Sequence, residues 1–347
     1  MADLLTFTPS GIYCPRADLY IDPWRPVARA VVTHAHSDHA RAGMGRYLAH
    51  HDSLPVMRHR LGADIAVRGL VYGEAIEVQG VRISLHPAGH IIGSAQVRLE
   101  YRGEVWVVSG DYKLEDDGLS APFEPVRCDV FITESTFGLP IFRWQPQAAV
   151  FADINAWWAA NAAAGRTSLL ACYALGKAQR VLRHLDPAIG PVYTHAAIEQ
   201  THAVLRAAGI DLPPTRLVQV ANTSKADKAA LRQALVLAPP SATGSPWVRH
   251  FQPHVLGVTS GWMALRGTRR RQAADQGFVL SDHADWDGLR QAIDATGAGR
   301  VFVTHGYTEL FARWLHEERG LDARAVETRF DGDEAPESSE AQTPQTG

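Results

Sequence analysis

The sequence predicts an α/β protein in which two strand-rich ends flank a central segment of alternating helices and strands. Short β-branched and apolar runs, separated by Gly- and Pro-containing turns, dominate the first 136 residues. From about Pro146 the texture changes to alternating helical and extended runs, the pattern of a parallel α/β unit. The end of the chain returns to strand, helix, strand, helix, so the central piece reads as an insertion between two parts of one strand-rich unit.

Taken in order, the leading strands are expected at 27–33, 81–86, 96–100, 105–109 and 129–133, where Val, Ile, Leu and Trp recur in short runs. Helices follow at 147–164, 177–185, 198–208 and 225–237, with strands between and after them at 168–173, 191–194, 217–220 and 255–259. The closing segment gives a strand at 277–280, a helix at 286–295, a strand at 300–304 and a helix at 309–319. No internal repeat is evident.

The 347 residues are long enough for a well-buried core and for about two domains of ordinary size. No apolar run reaches the roughly 18 residues a membrane span requires, and the start lacks the basic flank and apolar stretch of a signal peptide. The expected compartment is the cytoplasm. Cys14, Cys128 and Cys172 are odd in number and far apart, which argues against a disulfide framework and a Cys-x-x-Cys zinc site. The formal charge of −3 is set by the last seventeen residues, which hold five acidic side chains and no Lys or Arg; the rest of the chain carries +2. That tail, 331–347, reads as disordered, and the mild balance of the body neither requires nor forbids a polyanionic partner.

The strongest chemical signal is His34-Ala35-His36-Ser37-Asp38-His39, directly after the apolar run 27–33. At a strand end, residues two apart point to one side, so His34 and His36 can grip one cation. The turn that follows can aim Asp38 and His39 at a second. Imidazole and carboxylate suit zinc or manganese and leave positions open for water and substrate. Three further candidates stand at strand ends beside glycine, which lets backbone approach a cramped site: His90 after Gly89, Asp111 after Gly110 and His305 before Gly306.

With these residues the chain resembles the metallo-β-lactamase superfamily, whose fold is an αββα sandwich. The resemblance implies two divalent ions, zinc and/or manganese. His34, His36 and His90 would hold the first, Asp38, His39 and His305 the second, and Asp111 would bridge them. Asp22, in Tyr20-Ile21-Asp22-Pro23, matches the family's early acidic position that orients ligands, although an ordinary turn Asp before proline reads the same way. Glu134-Ser135-Thr136-Phe137-Gly138 and Ser281-Asp282-His283-Ala284-Asp285 resemble the acidic and second histidine motifs of the β-CASP nucleases, and Tyr173 to Arg180 resembles a recurring stretch of their inserted domain. Within that group the opening Gly11-Ile12-Tyr13-Cys14-Pro15 is similar to the bacterial ligase-associated DNA exonuclease family. Residues 1–137 and 273–330 would then form the metallo-β-lactamase domain in two parts, and 138–272 the inserted β-CASP parallel α/β domain.

The implied activity is metal-dependent phosphodiester hydrolysis in nucleic acid. Two cations would lower the pKa of a water between them and supply hydroxide to attack phosphorus. His283, oriented and kept protonated by Glu134, would protonate the leaving 3′-oxygen, and Asp38 is counted among the catalytic carboxylates. A capping role at the helix opening near Trp286 is the alternative for His283, since Ser281 and Asp282 have cap chemistry. Ser260 and Gly261, with Arg269 and Arg270 of a basic cluster that also includes Arg266 and Arg271, would contact the phosphate backbone, as an ordinary turn and a solvated loop would also allow. Trp157, Trp158 and Trp262 are candidates for base stacking or core packing.

DNA is favoured over RNA, because there is no room for the amino-terminal RNA-binding domains of polyadenylation-type factors, and the carboxy-terminal domain of RNase J is missing. A role in repair or end processing, and a link to a ligase or helicase, come from the family name alone. RNA processing is the first alternative and thioester or lactone hydrolysis on the same fold the second.

Overall fold

The computed structural model describes residues 3–219, 229–265, 267 and 274–326. Three six- or seven-stranded sheets organise them. The first sheet comes from the opening residues: β1 (Thr6–Thr8), β2 (Gly11–Cys14), β3 (Leu19–Ile21), β4 (Ala30–Val31), β5 (Tyr47–His50) and β6 (Val67–Leu70) lie in sequence order. β1 to β3 are antiparallel, and β3 to β6 run parallel. Helix α1 (Leu54–Leu61) crosses between β5 and β6.

The second sheet begins with β7 (Ala75–Val78), β8 (Val81–Pro87), β9 (Ala95–Tyr101), β10 (Glu104–Val108) and β11 (Val130–Glu134). Period-two alternation decides which neighbour each residue meets. Ile83, Val97, Trp106, Val108 and Ile132 turn toward Ile12, Ile21 and Val31 of the first sheet and form one core with them. Val107 and Phe131, pointing the other way, belong to a second core.

The chain then leaves to build the third sheet. Helices α2 (Gln147–Ala163), α3 (Lys177–His184) and α4 (Ala196–Ala207) alternate with β12 (Thr167–Ala171), β13 (Val192–Thr194), β14 (Arg216–Leu217), β15 (Leu235–Ala238), β16 (His254–Thr259) and β17 (Gln276–Phe278). This sheet is wholly parallel, in the order β14-β13-β15-β12-β16-β17. Every residue of β12 and β15 is buried, as expected of a parallel strand covered on both faces. Leu170, Leu235 and Leu237 share a core with Ile154, Val181 and Leu205 of the helices and with Val32, Val56 and Met57 of the first sheet and α1.

Afterwards the chain re-enters the second sheet. Helix α5 (Trp286–Thr296) leads to β18 (Arg300–Thr304), which pairs in parallel with β11, Glu134 opposite Thr304. Helix α6 (Thr308–Arg319) and β19 (Asp322–Ala325) complete that edge. Leu289, Ile293, Phe311 and Leu315 of the two helices cover the face that carries Val107, Phe131 and Val301. Among the described residues, no helix is long and apolar enough to cross a membrane. Cys14, Cys128 and Cys172 are free thiols.

Several expectations are corrected. The helix expected at 225–237 gives way at its end to β15, because a four-residue apolar run buried on both faces has no period to separate strand from helix. Only Ala30–Val31 of the expected strand 27–33 pairs as strand. Strands β1 to β3, β5 to β7 and β19, and helix α1, were not expected. The strand expected at 217–220 is β14, shifted toward the amino terminus, with Val220 outside the described residues. Arg266, Arg269, Arg270 and Arg271, and the tail 331–347, also lie outside them.

Candidate metal centre

β8, β10, β11 and β18 point in one direction, since β8 and β10 are each antiparallel to β9 and β10, β11 and β18 pair in parallel. Their carboxy-terminal ends therefore share one edge. His90, Asp111, Glu134 and His305 leave from that edge, and the turn after β4 brings His34 to His39 against it. Two tight backbone passages make room. Gly89 (φ +74°) and Gly306 (φ +70°) are in the left-handed region, and a side chain there would collide with the carbonyls of Lys113 and Ser135. His305 (φ +56°) and Asp22 (φ +43°) adopt the same region without being glycine, a conformation held where surrounding contacts fix it.

Within this pocket, ligand atoms of His34, His36, His90 and Asp111 lie within 4.8 Å of one another, and so do those of His39, Asp111 and His305 and those of His34, Asp38 and His39. All seven side chains expected to converge do so, with Asp111 common to two of the groups.

The hydrogen bonds around the groups test whether a cation suits them. A carbonyl can only accept, so His90 Nδ1 carries a hydrogen toward Asp282 O (2.7 Å) and His36 Nε2 one toward Leu175 O (3.2 Å). The two remaining nitrogens, His90 Nε2 and His36 Nδ1, lie 3.1 Å apart, and in rings neutral enough to bind metal both would present lone pairs. Thr33 Oγ1 donates to Asp22 Oδ2 (2.6 Å) and so accepts from His34 Nδ1 (3.1 Å). His39 Nδ1 donates to the same Asp22 oxygen (2.7 Å). Thr304 Oγ1 donates to Thr133 O (3.0 Å) and accepts from His305 Nδ1 (3.1 Å). Each imidazole is thus held by its outer nitrogen and turns the inner one inward, the arrangement that fixes a ligand's tautomer. His34 Nε2 and Asp111 Oδ1 are buried with no hydrogen-bond partner among the described residues. Lone pairs converging on one buried space repel unless a cation joins them, so the donor set fits divalent metal.

The electrostatics agree. Burial pushes His34 and His90 well below the ordinary imidazole range and His305 down to about 4, so these rings stay neutral. Burial opposes the charges of Asp111 and Asp38, but His39 beside them outweighs it and holds both carboxyls low. For His39 burial works against protonation and is outweighed by Asp111, Asp38 and Asp22, which raise it well above its usual range. The buried carboxylates thus demand positive charge, which a proton on His39 or a metal ion can supply.

Beside the groups stands a second pair. His283 Nδ1 is 2.8 Å from Glu134 Oε2, and Glu134 also accepts from Tyr112 N–H (2.8 Å) and Thr136 Oγ1 (2.5 Å). Burial, together with Asp111, raises Glu134 despite the opposing pull of His283. Ser281 Oγ accepts from His283 N–H, and Asp285 rather than Asp282 caps α5. At the expected phosphate loop Ser260 Oγ accepts from Trp262 N–H (3.2 Å), and Gly261 leaves no room for a side chain against the Phe137 ring. Trp158 is fully buried, and Trp262 packs with Phe137 and Phe142.

Sequence reasoning missed a buried charge cluster next to the site. Lys113, Lys177, Arg180, Asp117 and Asp282 are each less than 5% exposed. The only signal in the sequence was a Lys and an Arg three apart, Lys177 and Arg180, on one face of an expected helix; their burial at the start of α3 is seen in the structure.

No family model matches the chain. It is 34% identical over 319 residues to a protein of Opitutus terrae named Probable DNA ligase, a match that covers 91% of this chain and 30% of that one. A match of 32% over 117 residues, 33% of this chain and 13% of the other, is to the Endoribonuclease YSH1 of Candida albicans. Cleavage and polyadenylation specificity factor subunit 3 of Dictyostelium discoideum is 29% identical over 119 residues, covering 33% of this chain and 15% of its own. The chain thus spans less than a third of the length of these relatives. Among solved structures, a protein of unknown function from Enterococcus faecalis V583 shares the fold, with a TM-score of 0.55, 11% identity and coverage of 86% of this chain and 79% of that one. These are the names of the relatives; in this chain itself, several His and Asp groups are placed so that they could hold metal ions.

Proposed function

We propose that the protein is a two-metal phosphodiesterase acting on nucleic acid, a DNA exonuclease of the ligase-associated kind that works in repair or end processing in the cytoplasm. The observation that carries this reading is the pair of His/Asp groups joined at Asp111, with the Glu134–His283 pair beside them. His34, His36 and His90 would hold one ion, Asp38, His39 and His305 the other, and Asp111 both, with Asp22 fixing His39. Zinc or manganese bound there would make a water nucleophilic near neutral pH and draw charge from the phosphate.

The chain's own part is orientation and proton delivery. Glu134 accepts a hydrogen bond from His283 Nδ1–H and its charge favours the imidazolium, whose Nε2 proton would pass to the leaving 3′-oxygen and leave a neutral ring. Residues 1–137 and 273–330 are assigned to a metallo-β-lactamase αββα sandwich, supported by the β11–β18 pairing across the intervening sheet. Residues 138–272 are assigned to an inserted β-CASP unit that closes over the cleft, supported by the contact of Leu175 with His36. Ser260, Gly261, Arg269 and Arg270 are assigned to the phosphate backbone.

DNA is preferred because the relative that covers 91% of this chain is named a probable DNA ligase. RNA is the second reading, supported by several relatives named endoribonucleases over shorter stretches. Matched DNA and RNA oligonucleotides labelled separately at each end, digested with zinc or manganese, test both. Metal-dependent shortening of DNA from one end is expected; preferential RNA cleavage would replace the DNA assignment, and no cleavage of either would refute the nuclease.

A further inference from the structure

We infer that helix α3 and the turn before it set the affinity of one of the two metal positions, through Lys177 and Arg180 acting on Asp282. This rests on the metal-centre reading above. Two of the three imidazoles in the His34, His36, His90 group take their orienting hydrogen bonds from this junction. His36 Nε2 donates to Leu175 O (3.2 Å), two residues before α3, and His90 Nδ1 donates to Asp282 O (2.7 Å). Asp282 is itself clamped from α3. Its carboxylate lies 3.1 Å from Arg180 Nη1 and 3.8 Å from Lys177 Nζ, and Arg180 Nη1 also donates to the carbonyl of the adjacent Ser281 (2.6 Å).

Arg180 is fixed in turn. Its guanidinium donates to Gln147 Oε1 (3.0 and 3.1 Å) and pairs with Glu115 Oε2 (3.2 Å), so the fork cannot swing without breaking several bonds at once. Lys113 extends the cluster, binding Asp117 at 2.7 Å and reaching within 3.4 Å of the His90 carbonyl. The approach is as tight as the backbone allows: Gly176 (φ +88°) lies against Ile91, and any side chain there would collide with it.

The other group is oriented from elsewhere. His39 is held by Asp22 after β3, and His305 by Thr304 at the end of β18. Lys177 and Arg180 are therefore positioning residues for one ion and not the other. A charge cluster this deeply buried is costly to form, which makes geometric control of a neighbouring ligand a physical reason for its presence.

The test uses the full chain stripped of metal and titrated with zinc against a chromophoric zinc chelator. Wild type should take up two equivalents. Arg180→Lys, which keeps the charge but loses the fork, and Asp282→Asn, which keeps the carbonyl but loses the charge, should each weaken one equivalent by about tenfold or more and leave the second within about twofold. Thr304→Val should weaken the complementary equivalent. Combining Arg180→Lys with Asp282→Asn should still impair only one, whereas combining Arg180→Lys with Thr304→Val should impair both. The inference is overturned if Arg180→Lys and Asp282→Asn leave both equivalents at wild-type affinity, or weaken both alike, whether by collapse of the site or by loss of the fold. Failure of wild type to bind two zinc ions would instead refute the metal centre.

Discussion

Asp111 stands where the histidine groups meet: one carboxylate oxygen is 3.3 Å from His39 Nε2, 3.6 Å from His34 Nε2 and 3.9 Å from His90 Nε2. In the proposed two-metal site, a side chain shared in this way could not be lost from one position alone. Asp111→Ala is therefore expected to abolish cleavage and to lower retention of both ions, read by elemental analysis after gel filtration; full activity with normal metal content would contradict the assignment. His283 should behave differently, since its bonded partner is Glu134. His283→Ala is expected to keep wild-type metal content and to slow cleavage by about a hundredfold or more, the usual worth of a positioned proton donor. An unaltered single-turnover rate would remove His283 from the chemistry. His34 to His39 could be read directly because the motif is local, whereas His90, Asp111 and His305 were legible only as isolated strand-end residues beside glycine. The Arg180–Asp282 pairing was not legible. An ion pair between residues so distant in sequence leaves no local pattern, and burial of the charges follows only from the packing of α3.

At the scale of elements, the site depends on how closely loops may approach the strand ends. Gly89 precedes His90 at a left-handed φ and lies against the Lys113 carbonyl. Gly89→Ala adds both backbone strain and a clash with main chain that cannot swing aside, so a loss of about 2 kcal/mol or more is expected from urea unfolding. Because the displaced loop carries His90, zinc retention should fall in the same variant; a variant as stable as wild type would show that the turn is not constrained. Long strands and amphipathic helices were legible for a related reason, that side-chain periodicity reports the faces they bury. Strands β8 to β11 and helices α2 to α6 each lie close to their expected positions. Two- to four-residue strands such as β3 and β4 carry too few residues to show a period, and β15, buried on both sides, shows none. What specified these pieces was pairing with neighbours, which is a property of the assembled sheet.

At the scale of the molecule, stability depends on the seam between the first sheet and the central one, where α1 packs against α4 and both contribute to one shared core. His202 lies in α4, fully buried beside Glu199, Thr215 and Arg206. Burial, aided by Arg206 and opposed by Glu199, lowers its pKa from 6.5 to about 4. Between these two values the unfolded chain binds a proton that the folded chain refuses, so stability must rise with pH across the window and fall as the solution is acidified. Each pH unit there is worth about 1.4 kcal/mol for one group, so moving from pH 7 to pH 5 should cost about 2 kcal/mol through His202 alone. The metal-centre histidines also titrate when the protein is bare, and a single melting profile would mix them with this one. His202→Gln separates them, since it keeps a hydrogen-bonding side chain in α4 and removes the titration. The decisive quantity is a double difference in urea unfolding free energy, variant against wild type at pH 7 and again at pH 5. His202→Gln should lose less than wild type on acidification by about 2 kcal/mol. Equal losses in the two proteins would mean that His202 takes up its proton in the folded state as readily as in the unfolded one, and that its buried surroundings in α4 withstand the charge.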